Sequence, residues 1–177
     1  MRYLDLFGRL FDRLALLLVG LAAVLLVAMA LLINVEVLGR YFFNFSTLIS
    51  DEYSGYFFTW ITMLCLLYAL RSGRMLTVET LVQRLTPRLR RLFEVAGALV
   101  GIFVCAVMAD ATWGTLSLSW LFDSRSIQPS QTPLWIPQAV MPAGFALLGL
   151  GYLENGLRNL ALLLGAQPAP EPDSGKA

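Results

Sequence analysis

Four long apolar runs are the feature that most restricts how this chain can fold. The first, residues 14–33, is uncharged over roughly twenty residues, and a helix of that length reaches about 30 Å, the thickness of a bilayer's hydrocarbon core. With 58% hydrophobic residues among 177, a soluble domain could not bury so much apolar surface. The sequence therefore predicts an all-α membrane protein with four transmembrane helices, spanning about 14–36, 53–70, 92–122 and 134–153.

The first run could instead be a cleaved signal peptide, because Ala28, Met29 and Ala30 resemble a cleavage site. However, the apolar stretch continues to residue 33 and is longer than the apolar region of a signal peptide. We therefore expect a retained helix and a single transmembrane domain over 1–166. The polar, proline-containing segment 167–177 has nothing to bury and predicts a disordered tail.

The segment between the second and third runs has a different pattern. Apolar residues recur there at spacings of three and four, at Met75, Val78, Val82, Leu85 and Leu89. This periodicity predicts a short amphipathic helix over 76–85. A basic cluster lies beside it, formed by Arg84, Arg88, Arg90 and Arg91. We expect this helix to lie in the membrane interface, with a soluble hairpin as the alternative.

The basic residues predict the orientation of the chain. All but two of the 13 lysine and arginine residues fall in the three segments that four spans place on one side of the membrane, and the exceptions are Arg40 and Arg125. Positively charged short loops remain in the cytoplasm. The sequence therefore predicts that both termini are cytoplasmic and that the loops at 34–52 and 123–133 face outward.

Several classes of function find no support in the sequence. The chain has no histidine, which argues against a haem and most transition-metal sites. It also has no nucleotide-binding loop and no nucleophile beside a base. The net charge of +1 gives no field that would attract nucleic acid. We therefore expect no enzymatic activity, no cofactor, no metal and no nucleic-acid partner.

Charged residues near the first two spans are candidates for contacts between helices. Glu36 and Arg40 lie four residues apart and would share a helix face, so they can pair. Asp51 and Glu52 open the second span, where carboxylates suit the positive end of the helix dipole, and either could reach Arg40. We favour a clamp between the two helices over a site for a transported ion.

Three further charges lie in or beside the later spans. Asp110 lies about 24 Å beyond Glu94 at 1.5 Å per residue, which predicts a position toward the outer boundary. A proton relay would need a chain of such groups, and only one is present. Glu154 and Arg158 are four residues apart at the inner end of the fourth span, which predicts an interfacial pair.

Small residues inside the spans are candidates for helix packing. Gly97 and Gly101 form a GxxxG pattern, which allows close approach of two helix backbones, although a chance match explains it equally well. Cys65 and Cys105 lie in apolar runs without the spacing of a metal site or a disulfide framework. We expect both cysteines to be packing residues.

A series of short motifs resembles the small membrane subunit of TRAP (tripartite ATP-independent periplasmic) transporters, the DctQ-like family. The resemblance covers nearly the whole chain in order, length and topology. The motif positions are Arg40, Tyr41, Asn44, Glu52, Trp60, Arg71, Gly73, Trp135, Pro142 and Gly144.

The resemblance implies a role in a three-part importer of the bacterial inner membrane. A periplasmic protein would capture an organic acid, and a large membrane subunit would move it with a sodium gradient. The small subunit would be a scaffold in the lipid that packs against the large subunit and offers outer loops to the binding protein. A stand-alone channel or transporter and the membrane anchor of a redox enzyme are the alternatives.

Overall fold

The computed structural model of the protein describes residues 2–43, 49–72 and 87–163. These residues form three long helices, α1 (Arg2–Phe43), α2 (Ile49–Arg71) and α3 (Pro87–Leu121), then a single turn, α4 (Trp135–Gln138), and a fourth long helix, α5 (Val140–Leu163). The predicted interfacial helix at 76–85 and the predicted tail at 167–177 lie outside the described residues.

Within the described residues, four helical stretches are long and apolar enough to cross a membrane, which confirms the predicted fold class. They are Leu10–Phe43, Ile49–Arg71, Leu89–Leu121 and Trp135–Ala161. No strand occurs in the described parts of the chain, and an isolated bridge joins Arg125 to Pro133 in the loop before α4.

The fourth membrane-crossing stretch, which contains Pro137 and Pro142, is interrupted at Ala139. Helix α4 ends at Gln138, and α5 begins at Val140 after a turn at Ala139. Pro142 has no N–H to donate to the carbonyl of Gln138, which is four residues earlier. In the first turn of α5, by contrast, the missing donor costs little because that N–H would have no partner within the helix.

The helices form a row and not a closed bundle. Helix α1 packs against α2, α2 packs against α5, and α5 packs against α3. Among the described helices, α1 and α3 have at most a slight contact, so they are the two ends of the row. A row encloses little interior, and its ends leave broad apolar faces uncovered, as on Leu17 of α1 and Phe103 of α3.

Glycines allow α5 to pack closely on both sides. A Cβ atom at Gly144 would lie 2.9 Å from Met63 on α2, and one at Gly151 would lie 2.8 Å from Leu70. On the other side, Gly156 approaches Ala98 of α3. Small residues at such positions bring backbones together and increase dispersion contacts, which drive helix association in lipid. Helix α5 is therefore the central element of the row.

Candidate functional site

Arg71, the last residue of α2, connects three helices. Its Nε and Nη2 atoms lie 2.7 and 2.6 Å from Oδ1 of Asp12 on α1. Nη2 also donates to the carbonyl oxygen of Gly8 at 2.8 Å, and Nη1 pairs with Oε2 of Glu154 on α5. We call these four residues the Arg71 layer.

The two carboxylates of the Arg71 layer differ in burial. The side chain of Glu154 is 4% exposed and that of Arg71 is 14% exposed, whereas Asp12 is 57% exposed. An exposed ion pair contributes about 0–1 kcal/mol, but a buried charge that loses its partner destabilises a protein strongly. The pair between Arg71 and Glu154 is therefore the one on which the layer depends.

The structure corrects the predicted partner of Glu154. The sequence assigned Arg158, one helical turn away, but Glu154 points toward α2 and pairs with Arg71, while Arg158 is exposed. A spacing of four residues shows which side chains share a face and not which neighbouring helix that face meets. The available signal was Arg71 itself, a cation that ends an apolar run, with acidic residues at the matching ends of two other runs.

A second polar cluster lies near the other end of α2, where it holds the loop between α3 and α4. The hydroxyl of Tyr56 donates to Oε1 of Glu52 at 2.6 Å, and Ser130 donates to Oε2. The hydroxyls of Tyr53 and Thr132 lie 3.1 Å apart, and Thr132 Oγ1 donates to Ser130 Oγ at 3.0 Å. We call these five residues the Glu52 layer.

The Glu52 layer differs from the predicted clamp. We expected Asp51 or Glu52 to reach Arg40, but Glu52 binds the loop of residues 122–134. Arg40 lies 3.7 Å from Glu36 on its own helix. The serine and threonine of this loop were missed because hydroxyl-rich loops are common and carry no specific signal.

Removing the Glu52 carboxylate is expected to loosen the loop at 122–134. Glu52→Ala deletes two hydrogen bonds to a charged acceptor, and each such bond contributes about 1.5–3 kcal/mol. Amide hydrogen exchange of the loop, followed by mass spectrometry, should therefore become at least about tenfold faster.

Asp51→Ala is the matched control for this change. Asp51 is the exposed neighbouring carboxylate, and its backbone carbonyl accepts a hydrogen bond from the Ser54 hydroxyl at 3.1 Å. Loop exchange should stay unchanged in this variant. Equal protection of the loop in both variants would contradict the role assigned to Glu52.

The packing of α3 on α5 shows which residues of the neighbouring helices are level with Asp110. Their antiparallel register is defined by the contacts of Ala98 with Gly156, Gly101 with Tyr152, Cys105 with Gly149 and Trp120 with Trp135. Continuing this register places Asp110 level with Gly144, which contacts Met63 on α2. Along α2, Met63 is about 16 Å from Glu52 and about 12 Å from Arg71 at 1.5 Å per residue.

Asp110 therefore lies level with the stretch of α2 between the two polar layers, and its position toward the outer boundary of a membrane stays a prediction. The prediction measured from Glu94, but the register places Glu94 about 9 Å beyond the level of the Arg71 layer. Within the described ranges, the carboxylate of Asp110 is exposed and has neither a hydrogen bond nor an ion pair. An aspartate at the centre of a membrane helix costs about 2.5–3.5 kcal/mol on insertion scales.

The remaining predicted positions have varied surroundings. Gly101 packs against the ring of Tyr152, whereas a Cβ atom at Gly97 would meet nothing within 4 Å. In the basic cluster, Arg90 lies 3.1 Å from Glu94 on its own helix. Arg84 and the side chain of Arg88 lie outside the described residues.

The family-motif positions also differ in their burial and contacts. Tyr41 is largely exposed, Trp60 is half-buried, and Pro142 is buried in the first turn of α5. The ring of Trp135 meets that of Trp120 edge to face, with centroids 4.7 Å apart. Two more positions, Asn44 and Gly73, lie outside the described residues.

The polar side chains of the two layers connect secondary-structure elements. In the described part of the chain, no group of three or more histidine, cysteine, aspartate or glutamate residues could hold a metal ion. Both free cysteines lie within helices, Cys105 buried against Gly149 and Cys65 partly buried. The Arg71 layer and the Glu52 layer lie near the two ends of α2, where their polar side chains bind neighbouring parts of the chain.

The family comparison decides the identity of the chain. The family model described as tripartite ATP-independent periplasmic transporters, DctQ component, matches residues 29–162. The chain belongs to the DctQ family. The match confirms the resemblance seen in the motif series, and it covers all of α2 to α4, most of α5 and the last part of α1. No curated protein and no solved structure matches the chain.

As a DctQ component, the chain is a multi-pass membrane protein and a part of a transporter. Arg71, Glu154 and all of the Glu52 layer lie within the matched range, while Gly8 and Asp12 precede it. The family match therefore includes the buried pair of the Arg71 layer and leaves out both members on α1.

Proposed function

We propose that this DctQ component is the scaffold subunit of an importer for an organic acid. A periplasmic protein delivers the acid, and a large membrane subunit moves it with a sodium gradient. The small subunit binds no substrate itself, and it works as one transmembrane domain, residues 1–166, embedded in lipid.

The observation that carries this proposal is the row of helices with two polar layers. A row of four helices encloses no path of its own, so transport needs a second membrane protein beside it. The Arg71 layer ties α1, α2 and α5 together, and the Glu52 layer ties α2 to the loop before α4. These contacts make a stiff body, which is what a scaffold needs while a neighbouring subunit moves.

We further propose that both termini lie in the cytoplasm of a bacterium, with the chain in its inner membrane. The segments that continue from the Arg71 layer carry most of the arginines, which supports placing that layer on the cytoplasmic side. The Glu52 layer then faces the periplasm, where its loop is available to the binding protein. We also propose that the amphipathic helix predicted at 76–85 lies along the cytoplasmic interface and helps the subunit to resist tilting.

Co-expression with a large TRAP membrane subunit from the same organism tests the proposal. We expect the two proteins to purify together in mild detergent, and uptake by liposomes to require both of them with the binding protein. Uptake by this chain alone would favour the channel, and a haem spectrum of the pure protein would favour the redox anchor. Failure to co-purify would overturn the scaffold assignment.

A further inference from the structure

The face of α3 that carries Asp110 has no covering within the described parts of this chain. The opposite face, with Ala98, Cys105 and Ser119, is buried against the α4–α5 segment. At 3.6 residues per turn, Phe103, Val107 and Asp110 lie on the face of α3 that points away from α5, and all three are exposed.

This face is shaped for a close helix contact. Ala106 lies one turn before Asp110, and Gly114 lies one turn after it. A Cβ atom at Gly114 would meet nothing within 4 Å, so space remains beside the carboxylate for another helix. Small residues around a polar group in mid-membrane are typical of packed helices, where the polar group finds a donor.

Lipid cannot satisfy a carboxylate at this depth, because the hydrocarbon offers no hydrogen-bond donor. A second copy of this chain would bring another Asp110 to the same place, and two like charges repel each other. Charge complementarity therefore calls for a different protein. Helix α1, at the other end of the row, has no charge between Arg13 and Glu36, so lipid can cover it.

We propose that the Asp110 face of α3 is the contact with the large membrane subunit, and that a helix of that subunit places a cationic or hydrogen-bond-donating side chain against Asp110. This inference rests on the proposed function, since it names the surface through which the scaffold holds its partner. The α1 end of the row then faces lipid.

Photo-crosslinking in the complete transporter tests the choice of face. A benzoylphenylalanine at Val107 is expected to form an adduct with the large subunit at least tenfold more often than one at Leu17, an exposed residue of α1 that the packing of Ala15 on Leu67 places at a similar level. Equal labelling from the two positions would overturn the proposal. So would an adduct of Val107 with lipid alone or with a second copy of this chain.

A substitution tests the role of the charge. Asp110→Leu touches no packed residue of this chain, so the isolated subunit should keep its melting temperature, while recovery of the large subunit should fall at least tenfold. Asp110→Asn should restore part of that recovery, and Asp51→Leu, which removes an exposed charge, should not change it.

The two proposals fail in different ways. If the unaltered chain co-purifies with the large subunit and Asp110→Leu does so equally well, the face is wrong and the scaffold role stands. If the unaltered chain does not co-purify at all, the scaffold role itself fails.

Discussion

Replacing Arg71 with leucine is expected to lower the free energy of unfolding by about 3–5 kcal/mol, because it leaves the buried carboxylate of Glu154 without its cation. The same change removes the contacts that join α1 to this layer through Asp12 and Gly8. A thermal melt of the subunit in detergent, followed by tryptophan fluorescence, measures the effect.

Two further variants separate the buried pair from the exposed one. Asp12→Ala should cost no more than about 1 kcal/mol, since an exposed carboxylate contributes little. The double variant Arg71→Leu with Glu154→Leu should recover much of the lost stability, because it leaves no unpaired charge. Arg90→Ala, which removes an exposed pair on a single helix, is the control and should behave like the unaltered protein. A loss at Asp12 as large as that at Arg71 would contradict this account of the layer.

The substitution Gly101→Leu is expected to separate α3 from α5 and to destabilise the subunit by about 1–3 kcal/mol, as overpacking does in well-filled interiors. A Cβ atom at this position would lie 2.9 Å from three ring atoms of Tyr152, and leucine would add a branched group beyond it. The aromatic ring is rigid, so relief requires movement of the whole helix. The same fluorescence melt measures the loss.

Gly97 provides the matched control on the same helix. It is the other glycine of the GxxxG pattern, one turn away, and a Cβ atom there would meet nothing within 4 Å. Gly97→Leu should therefore leave the melting temperature of the isolated subunit unchanged. Equal destabilisation by the two substitutions would show that the pattern, and not the contact with Tyr152, determines the packing.

The sequence predicts which segments of this protein form helices better than it predicts which helices pack against each other. Runs of apolar residues as long as a bilayer specify a membrane helix wherever they occur, and the two prolines after Trp135 specify the break before α5. Both properties are local, so a single sequence contains them. The order of the helices in the row depends on how side chains from distant parts of the chain fit together, and periodicity does not encode that fit.

The candidate site shows the same division between local and distant information. Glu36 and Arg40 were predicted as neighbours on one helix, and they lie 3.7 Å apart. Glu154 was assigned to its neighbour in sequence, although its partner on α2 is 83 positions away. The depth of Asp110 stays a prediction, and Glu94 is a poor reference point for it because the register places Glu94 about 9 Å beyond the level of the Arg71 layer.

The two polar layers share one helix, and their separation along α2 is about 28 Å at 1.5 Å per residue. That length cannot stretch without breaking the helix. The protein therefore has a fixed hydrophobic thickness, close to that of an ordinary bilayer. In a thinner membrane the whole row must tilt or the surrounding lipid must thicken, and in a thicker membrane the surrounding lipid must thin, since neither polar layer can be drawn into the hydrocarbon without loss. We therefore expect the chain length of the lipid to affect the tilt angle of this subunit in the membrane.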